Sequence, residues 1–377
     1  NALHLISVRE SMLNNKTIAV VVPAYNEEKQ ISKVITTMPE FVDRIIVVND
    51  CSKDQTAEVV KEYMENDGEH KLVIKDILND LKETEYNKAD YIAQEQMKLE
   101  LEWFAPSEVI TTNPGNSRII LINQLKNSGV GAAIARGYKW CKDHGIDCTA
   151  VMAGDGQMDP DELESICQPV VEEGIDYVKG NRLIHRSSWL VIPKVRYLGN
   201  SILSILTKVA SGYWHISDTQ TGYTAISKSA LNSIRLHKIY KHYGMPNDML
   251  VKLNIAFCSL KEVGIKPVYD IGEKTKMKVW KVIPKISWLL IKSFFKRLWI
   301  KYLFRDFHPL FLLYHAAFAL LFLSLPFAVK IVRIWISGNS ANPLTILAFI
   351  FLFISGFQSL LFAMWMDIQD NERLYKS

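Results

Sequence analysis

Two aspartates stand where apolar runs stop. In "RIIVVND" the run Ile45–Val48 ends on Asn49-Asp50, and in "TAVMAGDGQMDP" a second run ends on Gly154-Asp155-Gly156-Gln157. A carboxylate delivered at the end of a buried run can accept the donors of a base or ribose, and a second can hold a hard cation against phosphates. Mg²⁺ keeps several waters and takes only one or two protein carboxylates when phosphates supply the remaining oxygens. One aspartate, Asp155, therefore suffices, with the Gln157 amide oxygen as a neutral ligand. Gly154 and Gly156 let a ligand approach the backbone closely. The same four residues also suit a plain turn with no metal. "NSGVGAAIARG" sets Gly129-Val130-Gly131 at the opening of a helix-like segment, a pattern that serves phosphate binding or helix packing equally well.

The elements that must carry these residues are short β-branched runs: Ile18–Val22 stopped by Pro23, Ile45–Val48, Arg118–Gln124 and Cys148–Asp155. Uninterrupted apolar runs predict strands buried on both faces, hence a parallel sheet. Helix-like segments alternate with them over Glu27–Met38, Gln55–Met64, Gly131–His144 and Pro160–Glu173. That alternation predicts an α/β, doubly wound, Rossmann-like domain, in which ligands bind beyond the carboxyl ends of the strands. Pro23, Asp50 and Asp155 all fall at such ends. An acidic insertion at about 67–117 breaks the rhythm, with an amphipathic helix expected within Tyr86–Phe104. It leaves a helix and enters a strand on the side opposite the crevice. It is expected to lie away from the chemistry, as decoration or as a surface for a partner or a homo-oligomer.

Net charge of +4 over 377 residues is too small to argue for nucleic acid as a partner, and the placement of charge says more. From Lys274 to Arg305 there are ten Lys or Arg and no Asp or Glu, interleaved with Trp280, Trp288, Phe294, Phe295, Trp299 and Tyr302. Such a stretch reads as a basic amphipathic helix on a membrane surface. Leu310–Ile336 and Leu344–Met366 follow, each long enough to cross a hydrocarbon core of about 30 Å. The turn "SGNSANP" joins them as a hairpin. The cations place its flanks, the catalytic domain and both termini in the cytoplasm, while Lys330 and Arg333 near the far end argue against that and require snorkelling. The expected division is 1–273 catalytic, 274–306 juxtamembrane and 307–377 a two-span hairpin with a short tail. The five cysteines are scattered, with no CxxC pair, and read as reduced thiols. The chain opens on Asn1, and "NALHLISVRE" is too short and polar for a signal peptide.

Taken in order, "VVPAYNEE", "VVNDCSKD", "NSGVGAA", "GDGQMDP", "GNRL" and "DTQTGY" resemble the family 2 glycosyltransferases. With the basic helix and hairpin, the chain looks most like their polyprenyl-phosphate branch, the dolichyl-phosphate mannose synthase group. The resemblance implies a GT-A fold and transfer of a hexose from a nucleotide-sugar, UDP- or GDP-linked, to a dolichyl or undecaprenyl phosphate, with Mg²⁺ or Mn²⁺ and inversion at the sugar. It implies that Pro23, Tyr25, Glu27, Val48 and Asp50 line the nucleoside pocket. Gly154, Asp155 and Gln157 would hold the metal and diphosphate, and Lys276 would meet the diphosphate. Arg182, Arg196 and Asn200 match an acceptor-phosphate site, a role that guanidinium forks also suit by their chemistry. Asp155, Arg182 and Lys276 would be the catalytic set. Ala153 and Asn49 stand where the family carries aspartates. Two other functions fit the same chain. One is a family 2 enzyme with a hydroxyl acceptor, which needs a base and would find it in Asp248 of "PNDML". The other is a non-catalytic membrane adaptor that kept the fold.

Overall fold

A computed structural model describes residues 13–67, 83–184, 188, 194–268 and 279–376; the side chains of 194–198, 200 and 279–282 fall outside the described set. The nucleus is four parallel strands: β1 (Ile18–Ala24), β2 (Arg44–Asn49), β4 (Ile119–Gln124) and β5 (Cys148–Val151), with β3 (Ser107–Val109) antiparallel on the edge strand β4. On the far side of β5 lie β7 (Thr224–Ser227), antiparallel to both its neighbours, then β6 (Tyr177–Asn181), β8 (Leu260–Gly264) and β9 (Tyr375–Lys376). The sheet is thus mainly parallel, as the continuous apolar runs require. All seven residues of β1 and all six of β2 are buried.

Pro23 does not stop β1. The strand runs on to Ala24, with Pro23 opposite Val48 and Ala24 opposite Asn49. The ladder to β5 ends at the pair Val21–Val151, so the missing N–H of proline forfeits no pairing there. The Pro23 carbonyl instead accepts from Gly154 N at 3.2 Å. A Cβ on Gly154 would stand 3.2 Å from that carbonyl oxygen, a tight approach that glycine avoids.

Helices cover both faces. On the first are α1 (Ile31–Thr36), α2 (Thr56–Asn66) and α5 (Leu163–Val171). On the other are α4 (Val130–Asp143), α7 (Lys228–Ser233) and α8 (Met245–Ile255). The insertion supplies α3 (Lys88–Leu99) and a single turn, Glu100–Trp103. It docks on the back of α4: Lys139 donates to Met97 O at 2.8 Å, Glu100 faces Lys142 and His237 at 3.5 Å each, and Trp103 meets the His237 ring at 4.7 Å.

Helix α6 (Lys194–Ser211) and helix α9 (Val279–Trp299) pack together beneath the domain, and α9 continues as a π-helical turn, Ile300–Arg305. The buried side of α9 carries Ile286, Leu290, Phe294 and Leu298 at four-residue spacing. Its exposed side shows Trp288, Ile291, Phe295 and Trp299 beside Lys285, Lys292 and Lys296. Helices α10 (Pro309–Ile336) and α11 (Pro343–Glu372) then form an antiparallel pair, and both are candidate membrane spans by length and composition. Gly356 marks their close crossing, since a Cβ there would lie 3.0 Å from the Leu321 side chain.

Among the described cations of the basic stretch, two are not on the surface as the sequence pattern suggests. Arg297 and Lys301 are fully buried. Arg297 makes a two-pronged bond to Asp367 of α11, 2.7 Å on each arm, and donates to the Ala210 and Val209 carbonyls at the end of α6. Lys301 reaches Asn254 of α8 at 3.2 Å and Asp370 at 3.3 Å. Tyr302 donates to Asp367 at 2.8 Å. The return end of the hairpin is therefore fastened to the same domain that its first helix leaves.

Candidate functional site

A crevice of about 870 Å³ opens at the carboxyl ends of β1, β2 and β5. Of the residues singled out above, it is lined by Pro23, Tyr25, Glu27, Asp50, Gly154, Asp155, Gln157 and Arg182. Val48 is not among them: it is fully buried in the core below. Lys276 lies outside the described residues, as do the side chains of Arg196 and Asn200, although the backbone of both belongs to α6.

The first wall is two loops knitted together by Asx-type bonds. Asn26 N donates to Ser52 Oγ at 3.0 Å, Asn26 Oδ1 accepts Lys53 N at 2.8 Å, and Glu28 N donates to Asp54 at 3.2 Å. Asn26 has φ 55° and Cys51 φ 57°, both in the left-handed region. Asp50 is 3% exposed and accepts Ser128 N at 2.7 Å and Gly129 N at 2.8 Å, one oxygen each. It therefore fixes the entry to α4 as well as facing the crevice. Gly129, at φ 94°, has no room for a Cβ, which would fall 2.5 Å from the Lys241 carbonyl and from the His242 ring. The "GVG" signal thus reports packing of the 240–243 loop on the start of α4.

The floor is Gly154–Gln157. Asp155 Oδ1 accepts Gln157 N at 3.1 Å across Gly156, whose φ is 73°. Among the described residues no three His, Cys, Asp or Glu side chains form a metal cluster. One carboxylate and one amide oxygen fit a hard cation that takes its other ligands from a diphosphate and water, and do not make a closed all-protein site. Asp159 and Lys266, 3.3 Å apart, continue the floor outward.

The opposite wall carries Arg182, just past β6. Its Nε donates to Asp218 at 2.8 Å and its Nη2 at 3.0 Å. Beside it stand Gln220 and Thr221, with Gln220 donating to Asn247 at 2.9 Å. Burial pushes the nearby Lys179 ammonium down to about 8, and its Nζ donates to the Thr221 carbonyl.

Sequence reasoning did not select Gln220, Thr221, His242, Tyr243 or Lys266, all of which line the crevice. The first two sit inside "DTQTGY", so that motif was their signal; "KHYG" and "IKPV" offered none. Asp248 does not line the crevice. It is 6% exposed, accepts Tyr240 N at 2.8 Å and pairs with Lys252 one turn on.

The pattern described as "Glycosyl transferase family 2" matches residues 19–89 and 107–235, more than half of the chain. A UDP-N-acetylglucosamine–dolichyl-phosphate N-acetylglucosaminyltransferase of Methanococcus voltae is 29% identical over 256 residues, 68% of this chain and 87% of that protein. A dolichyl-phosphate beta-glucosyltransferase of Trichomonas vaginalis is 24% identical over 300 residues, 74% of each chain. An undecaprenyl-phosphate mannosyltransferase of Micrococcus luteus is 26% identical over 130 residues, 34% of this chain and 52% of that one. Among solved structures, glucosyl-3-phosphoglycerate synthase of Mycobacterium tuberculosis superposes with a TM-score of 0.46 at 16% identity, over 77% of this chain and 84% of that one.

Proposed function

This chain belongs to glycosyl transferase family 2, a glycosyltransferase with a GT-A-like fold and two candidate membrane spans, and from that premise we propose that it transfers a hexose from a UDP- or GDP-sugar to a polyprenyl phosphate, dolichyl or undecaprenyl, at the cytoplasmic membrane face. The observation that carries the reading is a single crevice lined by Asp155, Gln157 and Arg182 together, in a domain to which both ends of an apolar helix pair return. The names of the three relatives, each of which acts on a prenyl phosphate, support the acceptor class.

The nucleoside lies between the 24–28 and 50–56 loops, and the diphosphate lies over Gly154–Gln157. Asp155 and Gln157 would hold Mg²⁺ or Mn²⁺, which when bound offsets the charge of the leaving diphosphate. Lys276 is assigned to the same diphosphate, and Arg196 and Asn200, with Arg182, to the acceptor phosphate. A phosphate oxygen of the acceptor forms the new bond at the anomeric carbon as the bond to the diphosphate breaks on the opposite side. The sugar inverts, and nucleoside diphosphate leaves. The acceptor is already an anion, so no strong general base is needed. Residues 1–273 act as the catalytic unit and 274–306 as a surface seat, with 307–377 as the anchor. The exposed aromatic and lysine stripe of α9 suits lipid headgroups on the cytoplasmic side.

A hydroxyl acceptor would need Asp248 as its base, and that carboxylate is engaged by Tyr240 and Lys252 away from the crevice. The test is a panel of UDP- and GDP-sugars with Mg²⁺ or Mn²⁺ and a short polyprenyl phosphate. Metal-dependent turnover of one donor is expected. Turnover only with alcohol-headed lipids would favour the hydroxyl reading, and consumption of no donor at all would favour an adaptor.

A further inference from the structure

Arg182 is held in place by a chain of contacts that ends at the carboxyl terminus. The Asp218 carboxylate takes its guanidinium in two prongs and also accepts Arg182 N at 3.2 Å. Burial would raise Asp218, yet the guanidinium outweighs it and holds the carboxyl below its ordinary range. Asp218 is fixed in turn. Its own amide donates to Glu262 Oε1 at 3.0 Å, and the Ser217 amide donates to Oε2 at 2.9 Å.

Glu262 sits on β8, and the edge of β8 is covered by β9, the strand formed after the chain returns from α11. Tyr375 pairs with Leu260, so Glu262, two residues further along, shares its face of the sheet. The Tyr375 ring lies 5.5 Å from the ring of His215, at the head of the 215–218 segment. Leu260 N donates to the Leu374 carbonyl at 2.7 Å, and Leu374 is buried in the main core. Burial, with Glu262 beside it, pushes the Tyr375 hydroxyl up to about 12. The charges gathered here are the buried Lys179 and half-buried Arg182 with the buried Asp218 and half-buried Glu262, two of each sign.

We infer that Glu262, braced by the docked C-terminal strand, is a positioning residue for Arg182: it fixes the 217–218 amides, these fix Asp218, and Asp218 aims the guanidinium at the acceptor. The inference rests on the assignment of Arg182 to the acceptor phosphate. A long, rotamer-rich side chain held in its working pose costs less to order on binding, and small displacements of such groups have large kinetic effects. Because β9 follows α11 directly, acceptor handling is tied to a seated hairpin. The fold thereby gives the anchor a second task besides holding the enzyme on the bilayer.

The experiment uses the full chain in detergent–lipid micelles. KM for a short polyprenyl phosphate and KM for the donor are measured for wild type, Arg182→Ala, Glu262→Gln and Tyr375→Ala, together with melting temperatures. Glu262→Gln turns one of its two accepting oxygens into a donor facing an amide. It is expected to raise the acceptor KM about tenfold, and Tyr375→Ala about threefold, both with donor KM within about twofold of wild type. If Arg182→Ala raises the acceptor KM while the other two leave it unchanged, the relay is overturned and the acceptor site stands. If Arg182→Ala itself leaves the acceptor KM unchanged, the acceptor assignment fails. Should Glu262→Gln fail to fold, Tyr375→Ala decides alone: a lowered melting temperature with an unchanged acceptor KM makes β9 merely structural.

Discussion

The crevice and the junction of the helix pair with the domain both bury acidic side chains, and they neutralise them differently. At the crevice, the buried Asp50 accepts two backbone amides, one on each oxygen. Amides orient a carboxylate without cancelling its charge, so its field still reaches a ligand. At the junction, Asp367 is cancelled outright by Arg297, with both side chains fully buried. Burial alone would lower the Arg297 guanidinium, but the Asp367 carboxylate reverses this and raises it. A paired charge suits a place where helix ends must sit against a domain without water. An amide-held charge suits a place that must bind something.

Substitutions at the two regions should therefore fail in different ways. The largest effect is expected from Asp155→Asn, which keeps shape and removes charge. Turnover should fall by about 10³-fold, roughly 4 kcal/mol of transition-state stabilisation, with an unchanged melting temperature. Steady-state assay and calorimetry on one preparation check both halves. At the junction the pattern should invert. Asp367→Leu strands a buried guanidinium and should cost about 3 kcal/mol of stability, whereas the double change Arg297→Leu with Asp367→Leu should recover most of it. Denaturation of the three proteins in the same detergent tests this, and a double variant no better than the single would show that the pair is worth more than its isostere.

Gly212 sharpens the point. It has φ 80°, and a Cβ there would stand 2.4 Å from Arg297 Nη1. Gly212→Ala should cost about 2 kcal/mol through backbone strain and displacement of the guanidinium. Lys301 gives a pH signature. Burial lowers its ammonium from 10.5 to about 8. Between those values the unfolded chain binds a proton that the folded chain does not, so this group's share of stability rises with pH through that window. Melting curves at pH 8 and pH 10 should show that rise for wild type and not for Lys301→Met. The smallest effect is expected at the crevice rim, where Cys51→Gly relieves a left-handed residue at φ 57° and should add about 0.5 kcal/mol.

Much of this was legible in sequence because it is local. Runs such as Ile45–Val48 announced buried strands, and Asp50 and Asp155 fell at their ends because a strand's carboxyl end is where the α/β crevice lies. Two apolar stretches announced the hairpin. What the sequence hid is pairing at a distance. The period of α9 sets Arg297 on the face of Leu290 and Phe294 and Lys296 off it, but no local signal names the partner: Arg297 is fully buried against Asp367, seventy residues on, and Lys296 is exposed. Lys266 and His242 reach the crevice from loops with no motif of their own. Asp248 of "PNDML" stood as the base that a hydroxyl acceptor would need; the structure gives it the Tyr240 amide and Lys252 instead. The Glu262–Asp218–Arg182 chain joins the middle of β8, the loop before β7 and the end of β6, with β9 alongside, and only the sheet order brings these together.

Analysis of the products tests the central claim most directly. Purified enzyme, its preferred nucleotide-sugar, Mg²⁺ and a short polyprenyl phosphate should yield a lipid carrying one hexose on one phosphate, with release of nucleoside diphosphate, by mass spectrometry. Release of nucleoside monophosphate with a lipid pyrophosphate, or a lipid whose phosphate remains unsubstituted, would contradict it.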